Sequence, residues 1–141
     1  MQKISSLSAW QLVPLVFAQD TVAASQAAVA IKTTDGNNSV ALNTSYTMPF
    51  PGEIIAISSN LDTAGTAGTL TIKPTIAGVV VADPVIAMTT LAYGSDTCQR
   101  GAATFAKNGQ VGCKITTTAN WNGTTRDLQV IVWVLLKIDS I

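Results

Sequence analysis

Histidine is absent from the 141 residues of this sequence. Histidine is the commonest general base, and the Ser–His and Cys–His nucleophile pairs depend on it, so these hydrolase mechanisms are excluded. The eight acidic residues stand singly, mostly in turns, where Asp commonly accepts hydrogen bonds from nearby backbone amides. A glycosidase pair of carboxylates is the only enzymatic alternative that we keep. We expect a protein that is not an enzyme and has no catalytic residues.

Charged residues are scarce as well. They make up 11% of the chain, against about 25% in an average domain, and eight basic residues balance eight acidic ones. No basic stripe is present to neutralise phosphates, so we expect no nucleic-acid partner. Because little long-range repulsion would keep copies of such a chain apart, the composition favours self-association.

Cysteine is represented only by Cys98 and Cys113. Without histidine or a Cys-x-x-Cys pair a zinc site is not expected, and nothing else in the sequence indicates a metal or a cofactor. Two small, buried or half-buried thiols are the preferred interpretation. A disulfide between the two residues is the alternative.

Long hydrophobic runs are also missing. No stretch approaches the roughly 18 apolar residues that a membrane-spanning helix needs, so we expect no membrane partner. Lys3 and the apolar residues 12–18 imitate a secretory leader, but this run is short and is interrupted by Pro14. We interpret residues 1–27 as an extended N-terminal arm, with a first strand as the alternative. Large apolar side chains in such an arm need another surface to bury them.

The rest of the chain has the pattern of β-strands. Apolar residues make up 48% of the sequence, and from residue 28 onward short β-branched segments alternate with Gly, Pro, Asn and Asp turns. Residues 69–76 alternate polar and apolar side chains, whereas residues 93–100 are predicted to be a polar connection. About eight strands without an intervening helical period predict an all-β, two-sheet antiparallel sandwich of the jelly-roll type over residues 28–141.

The last predicted strand, residues 128–136, is apolar on both faces. In an ordinary sandwich the outer face of a strand is polar, so one alternating set can line the core while the other must be covered. Covering by other copies of the chain and covering by the chain's own arm or loops are both open, as is the choice of face. We assign an oligomer interface to Val130, Val132, Trp133, Val134 and Leu135.

Trp121 stands in the polar turn Asn120-Trp121-Asn122-Gly123. Packing over the end of the sandwich is the preferred interpretation of this side chain. A ligand loop formed by Tyr93, Asp96 and Trp121 is the alternative, and it would suit a sugar or a receptor.

Several segments together resemble the small jelly-roll proteins of tailed-phage virions. These are residues 48–58, with the stretch Pro49-Phe50-Pro51-Gly52 before an apolar strand, the loop Thr63-Ala64-Gly65-Thr66 before Leu70-Thr71-Ile72, the turn at Gly78, and residues 107–111 and 127–130. The resemblance covers roughly residues 46–136.

The resemblance implies a homotrimeric decoration, or cement, protein on the outer surface of a capsid, with the major capsid protein as its partner. The arm residues Trp10, Leu12, Val13, Leu15 and Phe17 would then contact the capsid. The other implied role is the receptor- or carbohydrate-binding head of a virion fibre or tail protein.

Overall fold

The computed structural model describes residues 9–33, 43–123 and 126–138, and the secondary structure in these ranges consists of strands. Twelve strands run in chain order: β1 Trp10–Gln19, β2 Val29–Ala30, β3 Lys32–Thr33, β4 Ser45–Thr47, β5 Gly52–Leu61, β6 Leu70–Ile76, β7 Val79–Val80, β8 Ile86–Met88, β9 Tyr93–Thr97, β10 Thr104–Phe105, β11 Gln110–Thr117 and β12 Leu128–Lys137. Within these ranges no helix reaches the length and hydropathy needed to cross a bilayer.

The strands form two six-stranded antiparallel sheets. Sheet 1 has the order β10-β5-β12-β1-β3 with β9 also paired to β5, and sheet 2 has the order β2-β11-β6-β7 with β4 on β11 and β8 on β6. Four of the pairings are nested in the sequence, since β1 pairs with β12, β2 with β11, β5 with β9 and β6 with β8. This nested order, split between two facing sheets, is a jelly roll. The predicted fold class is confirmed.

The core lies between the two sheets and follows the two-residue period of the strands. In β12 the side chains of Val130, Val132 and Val134 are completely buried, and those of Ile131, Trp133 and Leu135 between them are only half-buried. The same alternation buries Leu70 and Ile72 of β6. The even-numbered residues of β12 therefore face the core.

The N-terminal segment differs from the prediction. Residues 10–19, which we expected in an extended arm, are strand β1 and pair with β12 over ten residues. Pro14 is accommodated because β3 pairs only with Phe17 and Ala18, so the earlier part of β1 is a sheet edge, where a missing N–H costs little. The sandwich thus begins at Trp10 rather than at residue 28, and residues 1–8 lie outside the described residues.

The segment predicted as a polar connection also contains a strand. Tyr93–Thr97 forms β9 beside β5, and it has no apolar alternation because it is an edge strand with mostly exposed side chains. Gly94 lies where a Cβ atom would be 2.7 Å from Cγ2 of Ile86. The position therefore needs glycine so that β8 of the other sheet can approach, a requirement that the hydrophobic pattern does not reveal.

Candidate assembly surface

The outer face of sheet 1, opposite the core, carries an apolar strip. The register aligns Leu12 with Leu135, Pro14 with Trp133 and Val16 with Ile131. Each of these residues lies between inward-facing neighbours, so all six side chains project from the same outer face. We call this group the outer strip: Leu12, Pro14, Val16, Ile131, Trp133 and Leu135.

The outer strip is uncharged and is bordered by polar side chains on β5. Ile131 pairs with Ser58 and Gln129 with Asn60, and the indole N–H of Trp133 donates a hydrogen bond to Oγ of Ser58 at 3.2 Å. Leu12 is 50% exposed. The solvent-facing side of an antiparallel sheet is normally polar, so this surface is unusual for an isolated subunit.

One end of the outer strip holds a charged cluster. Glu53 of β5 is 4% exposed, and its carboxylate forms an ion pair with Nε of Arg100 and accepts the backbone N–H of Gly101. The guanidinium of Arg100 lies 4.7 Å from the ring centroid of Trp10 on β1, within the range of a cation–π contact. The cluster ties the loop before β10 to the two strands of the sheet.

The five residues predicted to contact a capsid from an arm divide between two faces. Trp10 and Leu12 are exposed on the outer face, whereas Leu15 and Phe17 are buried in the core and Val13 packs against it. Leu15 and Phe17 are therefore not available to a partner of the folded subunit. The prediction was wrong for these two residues because strand alternation turns every second residue of β1 inward.

The five residues predicted for an oligomer interface divide in the same way. Val130, Val132 and Val134 are fully buried in the core and cannot form an interface. Trp133 and Leu135 lie on the outer face, and Ile131 belongs with them. The structure thus joins the outer members of both predicted sets in one surface, a result that requires the pairing of β1 with β12, which the sequence pattern does not specify.

The three residues predicted as an alternative ligand loop do not form one site. Trp121 is 3% exposed, and its indole N–H donates to the carbonyl of Val22 at 3.0 Å. Tyr93 and Asp96 lie on strand β9 rather than in a loop, and the Asp96 carboxylate accepts the backbone N–H of Val85. Packing of Trp121, the preferred interpretation, is confirmed.

The two cysteines are free thiols in different parts of the sandwich. Cys113 of β11 is buried in the core, and burial raises the pKa of its thiol well above the ordinary value. Cys98 is half-exposed and donates its S–H to the carbonyl of Ile54 at 3.0 Å. Burial, followed by the charge of Asp83, raises the pKa of the Cys98 thiol. Neither thiol has the lowered pKa of a reactive cysteine.

Sequence reasoning missed Glu53 and Arg100 because they are 47 positions apart and join only through the fold. A single acidic residue at the start of an otherwise apolar strand was the available signal. A buried carboxylate needs a cationic or hydrogen-bonding partner, so Glu53 itself predicts that some partner exists without identifying Arg100.

No family model matches this chain, and no curated protein matches it. Among solved structures, a chain of the cyanophage Pam1 capsid asymmetric unit aligns with 96% of this chain and 96% of its own length, at 13% identity and a TM-score of 0.48. A chain of the Helicobacter pylori bacteriophage KHP30 capsid aligns over 94% and 92%, at 8% identity and a TM-score of 0.46. Desmodium yellow mottle tymovirus aligns over 97% and 91%, at 8% identity and a TM-score of 0.41. Since all three scores are below 0.5, we base no functional conclusion on these likenesses.

Proposed function

We propose that this protein is a structural component of a virion, a homotrimeric decoration protein that binds the major capsid protein on the outer surface of a tailed-phage capsid and stabilises the shell. The outer strip is the observation that carries the proposal. It gives the sandwich an apolar surface in addition to its core, and such surfaces are typical of sites where protein chains meet. The jelly-roll order of the strands and the sequence resemblance agree with this role.

The size of the outer strip indicates how it would be used. Two neighbouring strands about 4.8 Å apart and five residues of about 3.4 Å each give the strip an area far below the roughly 800 Å² that each partner buries in a standard interface. The strip is therefore the centre of a larger contact, with the polar side chains of Ser58 and Asn60 in its rim. Aromatic residues commonly dominate the energy of such centres, which makes Trp133 the principal anchor.

The proposal has two parts, the formation of a trimer and the binding of that trimer to the capsid, and each part uses different contacts. In our proposal, the outer strips of three subunits meet, and the trimer then presents identical capsid-binding surfaces at every site on the shell. A chain with few charges and no net charge opposes this packing with little electrostatic repulsion. Three linked contacts on each trimer raise the overall affinity for the shell without requiring any one contact to be strong.

The residues predicted for a receptor- or carbohydrate-binding head do not form a common site, so we do not propose that role. Its three residues, Tyr93, Asp96 and Trp121, lie apart, and Trp121 is part of the packing at one end of the sandwich. The exposed ring of Tyr93, at 65%, is a single aromatic side chain and defines no ligand class.

The proposal is tested by the native mass of the purified protein and by its co-sedimentation with DNA-filled capsids. We expect a mass of three 14.6 kDa chains and saturable binding in many copies per capsid. Trp133→Asp should dissociate the trimer and weaken capsid binding, because a carboxylate at the centre of the contact would lose its hydration.

Thr71→Asp is the matched control, since Thr71 is half-buried on the outer face of the opposite sheet. This variant should keep both the trimeric mass and capsid binding. A monomeric wild-type protein, or a trimer that does not co-sediment with capsids, would refute the corresponding half of the proposal. Equal effects of the two variants would show that the outer strip has no special role.

A further inference from the structure

The turn that leads from β10 into β11 constrains the residues it contains. The backbone N–H of Gly109 donates to the carbonyl of Ala106 at 2.9 Å, which closes a four-residue β-turn, and Asn108 has a φ of 66°. Asparagine is one of the few residues with a side chain that adopt this left-handed conformation. An added Cβ atom at Gly109 would lie 2.8 Å from the Ala106 carbonyl oxygen and 2.9 Å from Cβ of Phe105. The turn therefore requires glycine at position 109 and favours asparagine or glycine at position 108.

An asparagine followed by glycine is chemically reactive, because glycine has no side chain to hinder attack by its backbone nitrogen on the preceding side-chain amide. The Gly109 nitrogen would form a bond to Cγ of Asn108, while the Cγ–Nδ2 bond breaks. The proton lost by the Gly109 nitrogen passes through water to the leaving nitrogen, which departs as ammonia. Water then opens the resulting succinimide ring at one of its two carbonyl groups. The products carry a carboxylate in place of the amide, either as aspartate or as isoaspartate.

The chain contains a second Asn-Gly pair, Asn122-Gly123, which the fold holds more firmly. Oδ1 of Asn122 accepts the backbone N–H groups of Thr66 at 2.9 Å and Ala67 at 3.0 Å, and Nδ2 of Asn122 donates to Oγ1 of Thr66. Gly123 is buried, and a Cβ atom there would lie 2.2 Å from Cζ2 of Trp121. Attack at Asn122 therefore requires release of the amide and movement of a buried backbone nitrogen.

Fewer contacts hold the first pair. Asn108 is exposed and Gly109 is half-buried, and within the described residues the Asn108 amide takes part in no hydrogen bond. The attacking nitrogen has one bond, to the Ala106 carbonyl, and a local opening of the turn releases it. We propose that Asn108 is a site of spontaneous deamidation by water, whereas Asn122 is protected by the fold. This inference does not depend on the proposed virion role.

Isoaspartate at position 108 would disturb the contact between the turn and Met48. The backbone N–H of Asn108 donates to the Met48 carbonyl at 2.8 Å, and the Gly109 carbonyl accepts the Met48 N–H at 2.9 Å. In isoaspartate the main chain runs through Cβ and Cγ of residue 108, so the path between these two groups is one atom longer. Both hydrogen bonds cannot keep their geometry with this longer path. We expect the isoaspartate form to be less stable than the aspartate form, which has the same charge.

The test is incubation of the full chain, folded or unfolded in urea, at pH 9 and at pH 6. Mass spectrometry after digestion at acidic pH locates the products, and an isoaspartyl methyltransferase with labelled S-adenosylmethionine detects isoaspartate. In the folded chain, Asn108 should react at least about tenfold faster than Asn122, whose three amide hydrogen bonds must open first. The reaction should be faster at pH 9, because the deprotonated nitrogen attacks. In urea the two sites should react at similar rates, since glycine follows both.

Two results would overturn the proposal. One is a folded chain in which Asn122 reacts as fast as Asn108 or faster. The other is a folded chain in which Asn108 stays intact under conditions that deamidate the unfolded chain. Failure to bind capsids would leave the outcome of this test unchanged, so the virion role and the deamidation site are tested separately.

Three variants examine the assigned roles. Asn108→Gly suits the positive φ without supplying an amide, so it should fold and give no product at position 108. Thr66→Ala removes one hydrogen bond from the Asn122 amide and should speed deamidation there roughly three- to tenfold; an unchanged rate would refute protection by these bonds. Asn108→Asp is the control for the added charge. The purified isoaspartate form should unfold at a lower urea concentration than Asn108→Asp, and equal midpoints would refute the effect on the Met48 contact.

Discussion

Ile131 and Val132 are adjacent in β12 but belong to opposite faces of sheet 1, so the same substitution at each position should have different consequences. Val132 is completely buried, while Ile131 is half-buried in the outer strip. We predict that Val132→Asp prevents stable folding and that Ile131→Asp leaves the subunit folded but dissociates the assembly.

The magnitudes follow from the two environments. At Val132, about 1.5–3 kcal/mol of apolar burial is lost, and keeping the new carboxyl group neutral in the core at pH 7 costs about 4 kcal/mol because its reference pKa is about 3.9. An unmet hydrogen bond adds about 1–3 kcal/mol. The total is comparable to the whole stability of a domain, about 5–15 kcal/mol. At Ile131 the carboxylate can reach water in the separated subunit, so only cross-strand packing with Val16 is lost, about 1 kcal/mol or less.

The assay combines urea unfolding, followed by tryptophan fluorescence, with light scattering across a range of protein concentrations. With a urea slope of about 1–3 kcal/mol/M, the dissociated Ile131→Asp subunit should unfold within about 1 M of the dissociated wild type. Measurement at low concentration is essential, because assembly itself adds to apparent stability. If both variants fail to fold, the assignment of faces is wrong. If Ile131→Asp keeps the wild-type mass, the outer strip is not the interface between subunits.

Two further predictions concern the N-terminus and the thiols. Removal of residues 1–20 should abolish folding, measured by circular dichroism, because it deletes β1 and its ten-residue pairing with β12, whereas removal of residues 1–8 should leave the sandwich folded. A variant that lacks residues 1–20 but still folds would contradict the pairing of β1 with β12. Iodoacetamide at pH 8 should label Cys98 slowly and Cys113 only after unfolding, because burial raises both pKa values and the thiolate is the reacting form. Labelling of Cys98 should accelerate as the pH rises above 8, and mass spectrometry of the digested protein distinguishes the two sites.

The fold class could be predicted because its evidence is local. Short β-branched segments, frequent turn residues and the alternation in residues 69–76 each indicate strands without reference to distant parts of the chain. Strand β1 could not be distinguished from an arm, because Pro14 weakens the local signal and its acceptance depends on the short extent of β3. Strand β9 was missed for a related reason, since an exposed edge strand needs no apolar side chain.

The candidate surface could be predicted only in part. The two-sided apolar character of β12 is visible in the sequence, and the structure places Ile131, Trp133 and Leu135 on the outer face. Which alternating set faces the core depends on the position of the second sheet, and this placed three valines of the predicted interface inside. The Arg100–Glu53 pair could not be predicted either, because its two residues are 47 positions apart and meet only in the folded chain.

The position of β1 bears directly on what covers the outer strip. A cover made from the chain's own residues 10–19 was an alternative to contact with other copies, but these residues lie beside β12 within sheet 1 and contribute Leu12, Pro14 and Val16 to the strip itself. Residues 20–27 lead away to the opposite sheet, where Gln26 donates its backbone N–H to Thr117 Oγ1 at 2.9 Å. The described part of the candidate cover, residues 9–27, therefore does not lie over the strip, and residues 12–16 enlarge the exposed apolar area, which strengthens the case for a second protein chain on this face.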